Sequence, residues 1–83
     1  MNTNDMKKGT RIKLSYNGWE AKLMNNKKGN IRDAEVYGIY TELGNVYSHN
    51  IVAYQDNAGN WQTDVEYSKG QIQCKQMNDA MGF

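Results

Sequence analysis

Hydrophobic and polar residues alternate with a period of two along most of the chain, the spacing of strands with one buried and one wet face. Ile12, Leu14 and Tyr16 alternate with Arg11, Lys13 and Ser15, and Trp19, Ala21 and Leu23 alternate with Glu20, Lys22 and Met24. Between the two runs stands Asn17-Gly18. That dipeptide tolerates positive φ at both positions and predicts a type I′ hairpin. The polar cluster at residues 25–30 predicts a turn, and residues 31–40 a third strand with Ala34, Val36 and Gly38 on its core face. Residues 41–45 read as a further turn. Residues 46–54, rich in β-branched and aromatic side chains, read as a strand interrupted near His49-Asn50. After a turn at residues 56–60, Trp61, Thr63, Val65 and Tyr67 alternate as a final strand.

The period changes after Ser68. Ser68 is a good helix N-cap, and Ile72, Met77 and Met81 with Cys74 partly fit a helical stripe. Ile72–Cys74 also fits a short strand. The first eight residues carry no such pattern and are expected to form a mobile tail. About five short strands joined by tight polar turns predict an all-β domain, a small antiparallel barrel or a strongly bent sheet with a short C-terminal helix. Its expected core is Leu14, Trp19, Val36, Val46, Ile51 and Trp61.

Particular stretches resemble a known class. Lys8-Gly9-Thr10-Arg11-Ile12-Lys13-Leu14, followed by Asn17-Gly18-Trp19-Glu20-Ala21-Lys22-Leu23, resembles the opening hairpin of SH3-like barrels of the Tudor and KOW kind. Lys28-Gly29-Asn30-Ile31-Arg32 with Ala34-Glu35-Val36-Tyr37-Gly38 is similar to the Gly-centred turn and third strand of that class, and residues 44–51 to the next strand. The chain is also similar to small uncharacterised SH3-like proteins of marine cyanobacteria and their phages, over roughly residues 7–67. The resemblance implies a barrel at 9–67, and the residue pattern on either side of it adds a mobile tail at 1–8 and a helical segment at 68–83. It implies a binding module, and a fold alone does not specify the ligand.

With 83 residues there is room for one domain and a thin core, and two Trp and six Tyr supply most of its large rings. No apolar run approaches the roughly 18 residues that span a bilayer. No apolar stretch follows the N-terminal charges, so a secretory signal is not expected. Cys74 is the single cysteine, which rules out an internal disulfide and fits a reducing cytoplasm. The net charge is +1, but it is unevenly spread. Residues 1–32 hold eight basic groups against Asp5 and Glu20, whereas residues 33–83 hold Lys69 and Lys75 against seven acids. Either the two halves neutralise each other across paired strands, or a basic face is available to an anionic partner.

Catalysis finds little support. His49 is the single histidine, Cys74 has no spacing that favours a nucleophile–base pair, and Gly9, Gly18 and Gly29 are isolated rather than grouped in a phosphate loop. No enzyme activity and no cofactor or metal is expected. The leading expectation is a non-catalytic protein-binding module, with an RNA- or DNA-binding module as the alternative. Strand parity places Glu35 and Tyr37 on the same face as Tyr47 and His49. With a turn at 41–45, the two strands would pair with residue numbers summing to 84 or 86, gathering these four into one exposed patch. Lys27, Lys28 and Arg32 around the basic turn are the candidate anion site. An aromatic cage is a further possibility of the resemblance, with Trp19 and Trp61 assigned to packing. Met24, Met77, Met81 and Phe83 are apolar residues left over for self-association into a homo-oligomer.

Overall fold

The computed structural model describes residues 1–82. Among them the chain forms β1 (Arg11–Leu14), β2 (Glu20–Leu23), β3 (Ile31–Tyr37), β4 (Thr41–Tyr47), β5 (Ile51–Gln55), β6 (Trp61–Gln62) and the helix α1 (Lys69–Ala80). All neighbouring strands are antiparallel, in one open six-stranded sheet of order β4-β3-β2-β1-β5-β6. The strand after the meander of four therefore returns to pair with the first.

The first hairpin follows from its turn chemistry. Asn17 and Gly18 both take positive φ, 59° and 63°, and the Leu14 amide donates to the Trp19 carbonyl at 2.8 Å. Each of β1 and β2 buries every second residue, so Ile12, Leu14, Ala21 and Leu23 share one face. They pack with Met6, Ala34, Val46 and Ile51, and Val36, Tyr54 and Val65 lean against this cluster. Burying each large aliphatic side chain contributes about 1.5–3 kcal/mol.

The interruption expected near His49 is a 3-10 turn, Ser48–Asn50, and it separates β4 from β5. The helix begins where Ser68 predicts. The Ser68 hydroxyl accepts from the Gln71 amide while the Gln71 side chain accepts from the Ser68 amide, a complete capping box. Ile72–Cys74 is thus helical.

Three expectations need correction. The first eight residues are docked: Thr3–Asp5 is a 3-10 turn, and Thr3 and Met6 are fully buried. Met6 extends the core, and the Thr3 amide and Glu66 carbonyl bond at 3.0 Å. Residues 41–45 are strand rather than turn, because the chain already reverses at Gly38–Tyr40, where the Gly38 amide donates to the Tyr40 carbonyl. Backbone pairing with β3 overrides the turn-like composition of this stretch. The final strand ends at Gln62, since the backbone of Glu66 is taken up by Met1 and Thr3 instead of a neighbouring strand.

Two expected core aromatics are also displaced. Trp19 and Trp61 are only partly buried. The Lys13 ammonium lies over the Trp61 ring, 4.4 Å from its centroid, on the wet side of β1. Phe83, counted among the spare apolar residues, lies outside the described residues.

Candidate interaction surface

The register of β3 and β4 decides which candidate residues meet. Ile31 pairs with Tyr47 and Tyr37 with Thr41, so partners sum to 78 rather than 84 or 86. The parity is as expected, but Tyr37 and Tyr47 stand at opposite ends of the ladder, roughly 20 Å apart at the usual rise per residue. The four-residue patch splits into two pairs.

Tyr37 and Glu35 form one. The Tyr37 hydroxyl donates to Glu35 Oε1 at 2.6 Å, and this bond, with desolvation and the carboxylate charge, raises the phenol pKa against the opposing Arg11 charge. Arg11 sits over the Tyr37 ring at 4.7 Å and bonds Glu20 at 3.1 Å, while Lys22 reaches Glu35 at 4.0 Å. This is a mutually paired polar face. Tyr47 and His49 form the other pair, stacked with centroids 5.0 Å apart. The His49 ring is buried against α1, with Nε2 3.2 Å from the side-chain Nδ2 of Asn78. A cleft of about 130 Å³ runs between Tyr47, His49 and Asn50 and the helix residues Lys75, Asn78 and Asp79, where Lys75 and Asp79 are already bonded to each other.

The basic turn is likewise divided. Lys27 and Lys28 are exposed, but Arg32 is fully buried. It occupies the core-facing phase of β3 together with Ala34, and its guanidinium donates to the carbonyls of Thr3 at 2.7 Å and Met6 at 3.0 Å. Desolvation lowers its pKa, partly offset by the Asp33 charge. Arg32 is therefore a clamp on the N-terminal segment and does not join Lys27 and Lys28 as an anion site.

The surface that the pattern of residues missed lies at the far end of the β3–β4 hairpin. Ile39, Tyr40 and Leu43 are 83%, 74% and 73% exposed. Ile39 and Tyr40 form the reversal, and with Trp19, Val36 and Glu42 they line a cleft of about 220 Å³. The Trp19 ring is held there by Gly38: a Cβ at that position would stand 2.7 Å from Trp19 Cζ3, closer than atoms pack. Tyr16 meets the same ring edge-on at 6.1 Å. On the other face, Leu43 borders a depression of about 370 Å³ with Met24, Asn25, Asp33 and Asn45. The signal was present in Ile39-Tyr40 and Leu43, three large apolar residues between Gly38 and Gly44, but a turn assigned to 41–45 hid it.

The chain matches no known family model, curated protein or solved structure. Its surface chemistry has to carry the functional reading.

Proposed function

We propose that the protein is a non-catalytic binding module whose partner is another protein, held at the cleft of Trp19, Val36, Ile39, Tyr40 and Glu42. The observation that carries this is the contiguous exposure of Ile39 and Tyr40 beside the Trp19 ring, since large apolar side chains grouped at a surface mark contact sites. Glu42 at the rim favours a partner segment with an apolar side chain next to a basic one. The reading of the sheet as an SH3-like roll belongs to the same proposal. It is supported by the return of β5 onto β1 after the β1–β4 meander. So does a cytoplasmic setting, which the single free Cys74 favours.

Affinity capture from the native host tests this reading. The double variant Ile39→Ser/Tyr40→Ser is expected to keep the wild-type melting temperature and lose the captured protein. Lys27→Glu/Lys28→Glu is expected to capture it unchanged. The reverse pattern, with binding that falls steeply as salt rises, would transfer the function to nucleic acid at the basic turn.

A further inference from the structure

β4 is an edge strand seven residues long, and its outer edge has no partner among the described residues. The hydrogen-bonding phase of that edge follows from bonds on either side of β3. The Met24 amide donates to the Asp33 carbonyl, so Asp33 faces β2, and alternation turns Arg32, Ala34 and Val36 toward β4. Bonds at both ends of the β3–β4 ladder, Ser48 to Asn30 and Gly38 to Tyr40, join even-numbered residues in the same phase. The N–H and C=O groups of Thr41, Leu43 and Asn45 therefore point away from the sheet.

Such an edge is usually blunted by Pro, by Lys, by a bulge or by being short. β4 has none of these: its register with β3 is unbroken, it holds no Pro or Lys, and Glu42 is its one charged residue. The opposite edge of the sheet, β6, is two residues long and offers nothing comparable. A head-to-tail chain of sheets is thus excluded by geometry, and a closed two-fold pair of β4 edges is left.

We infer that the occupant of this edge is a second copy of the chain, paired antiparallel through β4 with Leu43 opposite Leu43 on the two-fold axis. The sequence around Leu43 is matched on its two sides. In that register Thr41 meets Asn45 of the second copy and Glu42 meets Gly44, all within the bounds of β4. Thr41 and Asn45 are both polar, Leu43 faces Leu43, and the one charge faces a glycine. The outward groups of Thr41, Leu43 and Asn45 on both copies form a ladder of about six hydrogen bonds. Shifting the axis by one residue toward the N-terminus opposes Glu42 to Glu42, a like-charge pair that cross-strand geometry disfavours. The contact is small, so the dimer is of the weak, concentration-dependent kind. The inference goes beyond the cleft reading and does not depend on it: the paired edge lies beside the cleft, and a protein that dimerises without capturing a partner, or captures without dimerising, separates the two.

Sedimentation of the wild-type chain from about 1 µM to about 1 mM, spanning weak to moderate affinities, is expected to show a rise from the mass of one chain to that of two. Leu43→Lys places like charges on the axis and is expected to stay a monomer throughout with an unchanged far-UV spectrum. Register is read by cysteine pairing in a Cys74→Ser background, where strand partners stand within disulfide reach. Leu43→Cys is expected to cross-link to itself under mild oxidation. Thr41→Cys and Asn45→Cys are expected to cross-link efficiently only when mixed. Wild-type protein that remains monomeric over the whole range, or Asn45→Cys that cross-links to itself better than Leu43→Cys, overturns the inference.

Discussion

Arg32 shows how much a single residue can do in a thin core. A basic residue beside a polar turn is ordinarily solvated, yet the parity of β3 directs this one inward, where its fork of donors holds two carbonyls of the N-terminal segment. Lysine keeps the charge but has no planar fork, and its ammonium cannot reach both carbonyls in the same geometry. Arg32→Lys is expected to cost about 1–3 kcal/mol, read as a lower urea midpoint. It is also expected to speed proteolysis within residues 1–8. A midpoint equal to the wild type would mean that Thr3 and Met6 are held without the clamp. Alternation in residues 31–37 was visible in the sequence and placed Ala34 and Val36 on the inner face, but Arg32 was read with the basic turn as a surface residue. What could not be read there was the burial of that face beyond Ala34, because the cover comes from a segment distant in sequence.

At the scale of elements, the helix and the N-terminal turn are joined through Gln71. Its Oε1 accepts from the Thr3 hydroxyl at 2.6 Å and the Ser68 amide at 3.0 Å, and its Nε2 donates to Asn4 Oδ1 at 3.1 Å and the Gly29 carbonyl at 3.0 Å. Every hydrogen-bonding position of this buried amide is used. Gln71→Ala is therefore expected to lose about 2–3 kcal/mol, since it strips partners from several groups at once. Ser68→Ala, which removes one cap bond, is expected to lose about 1 kcal/mol. Equal losses in chemical denaturation would show that Gln71 acts through the capping box alone. Ser68 was legible in the sequence as an N-cap, and with it the start of the helix; Gln71 as its capping-box partner was seen in the structure. The reach of the same amide to Asn4 and Gly29 was not legible, because it depends on three segments folding together.

Across the whole molecule, two carboxylates connect the outer strand region to its surroundings. Asp56 accepts from Gln62 and from the Asn60 amide, which hold its pKa below the usual carboxylate range. Asp64 is held low first by the Tyr54 hydroxyl at 2.8 Å and then by the N-terminal ammonium at 3.2 Å. A carboxylate whose pKa is lower folded than unfolded stabilises the fold above the unfolded value and loses that contribution as the pH falls through the folded one. Melting temperature is therefore expected to be level near neutrality and to fall below about pH 4. The Asp56→Asn/Asp64→Asn variant should melt lower at neutral pH and show a shallower acid limb. Parallel acid limbs for variant and wild type would assign acid loss to other groups.

The sequence by itself determined the elements that rest on local chemistry. Asn17-Gly18 set the first hairpin, alternation set the inner faces of β1 and β2, and Ser68 with Gln71 set the start of α1. Tertiary structure decided where a segment's preference was weak. Residues 41–45 have turn-like composition and became strand because β3 offered a complete ladder, once Gly38 allowed the reversal beneath Trp19. That shift moved Tyr37 away from Tyr47, turned Ile39 and Tyr40 outward, and left β4 as a free edge. Local propensities differ by only a fraction of a kcal/mol per residue, whereas register is set by a whole row of hydrogen bonds and by the burial of one face, so pairing prevails where the two compete.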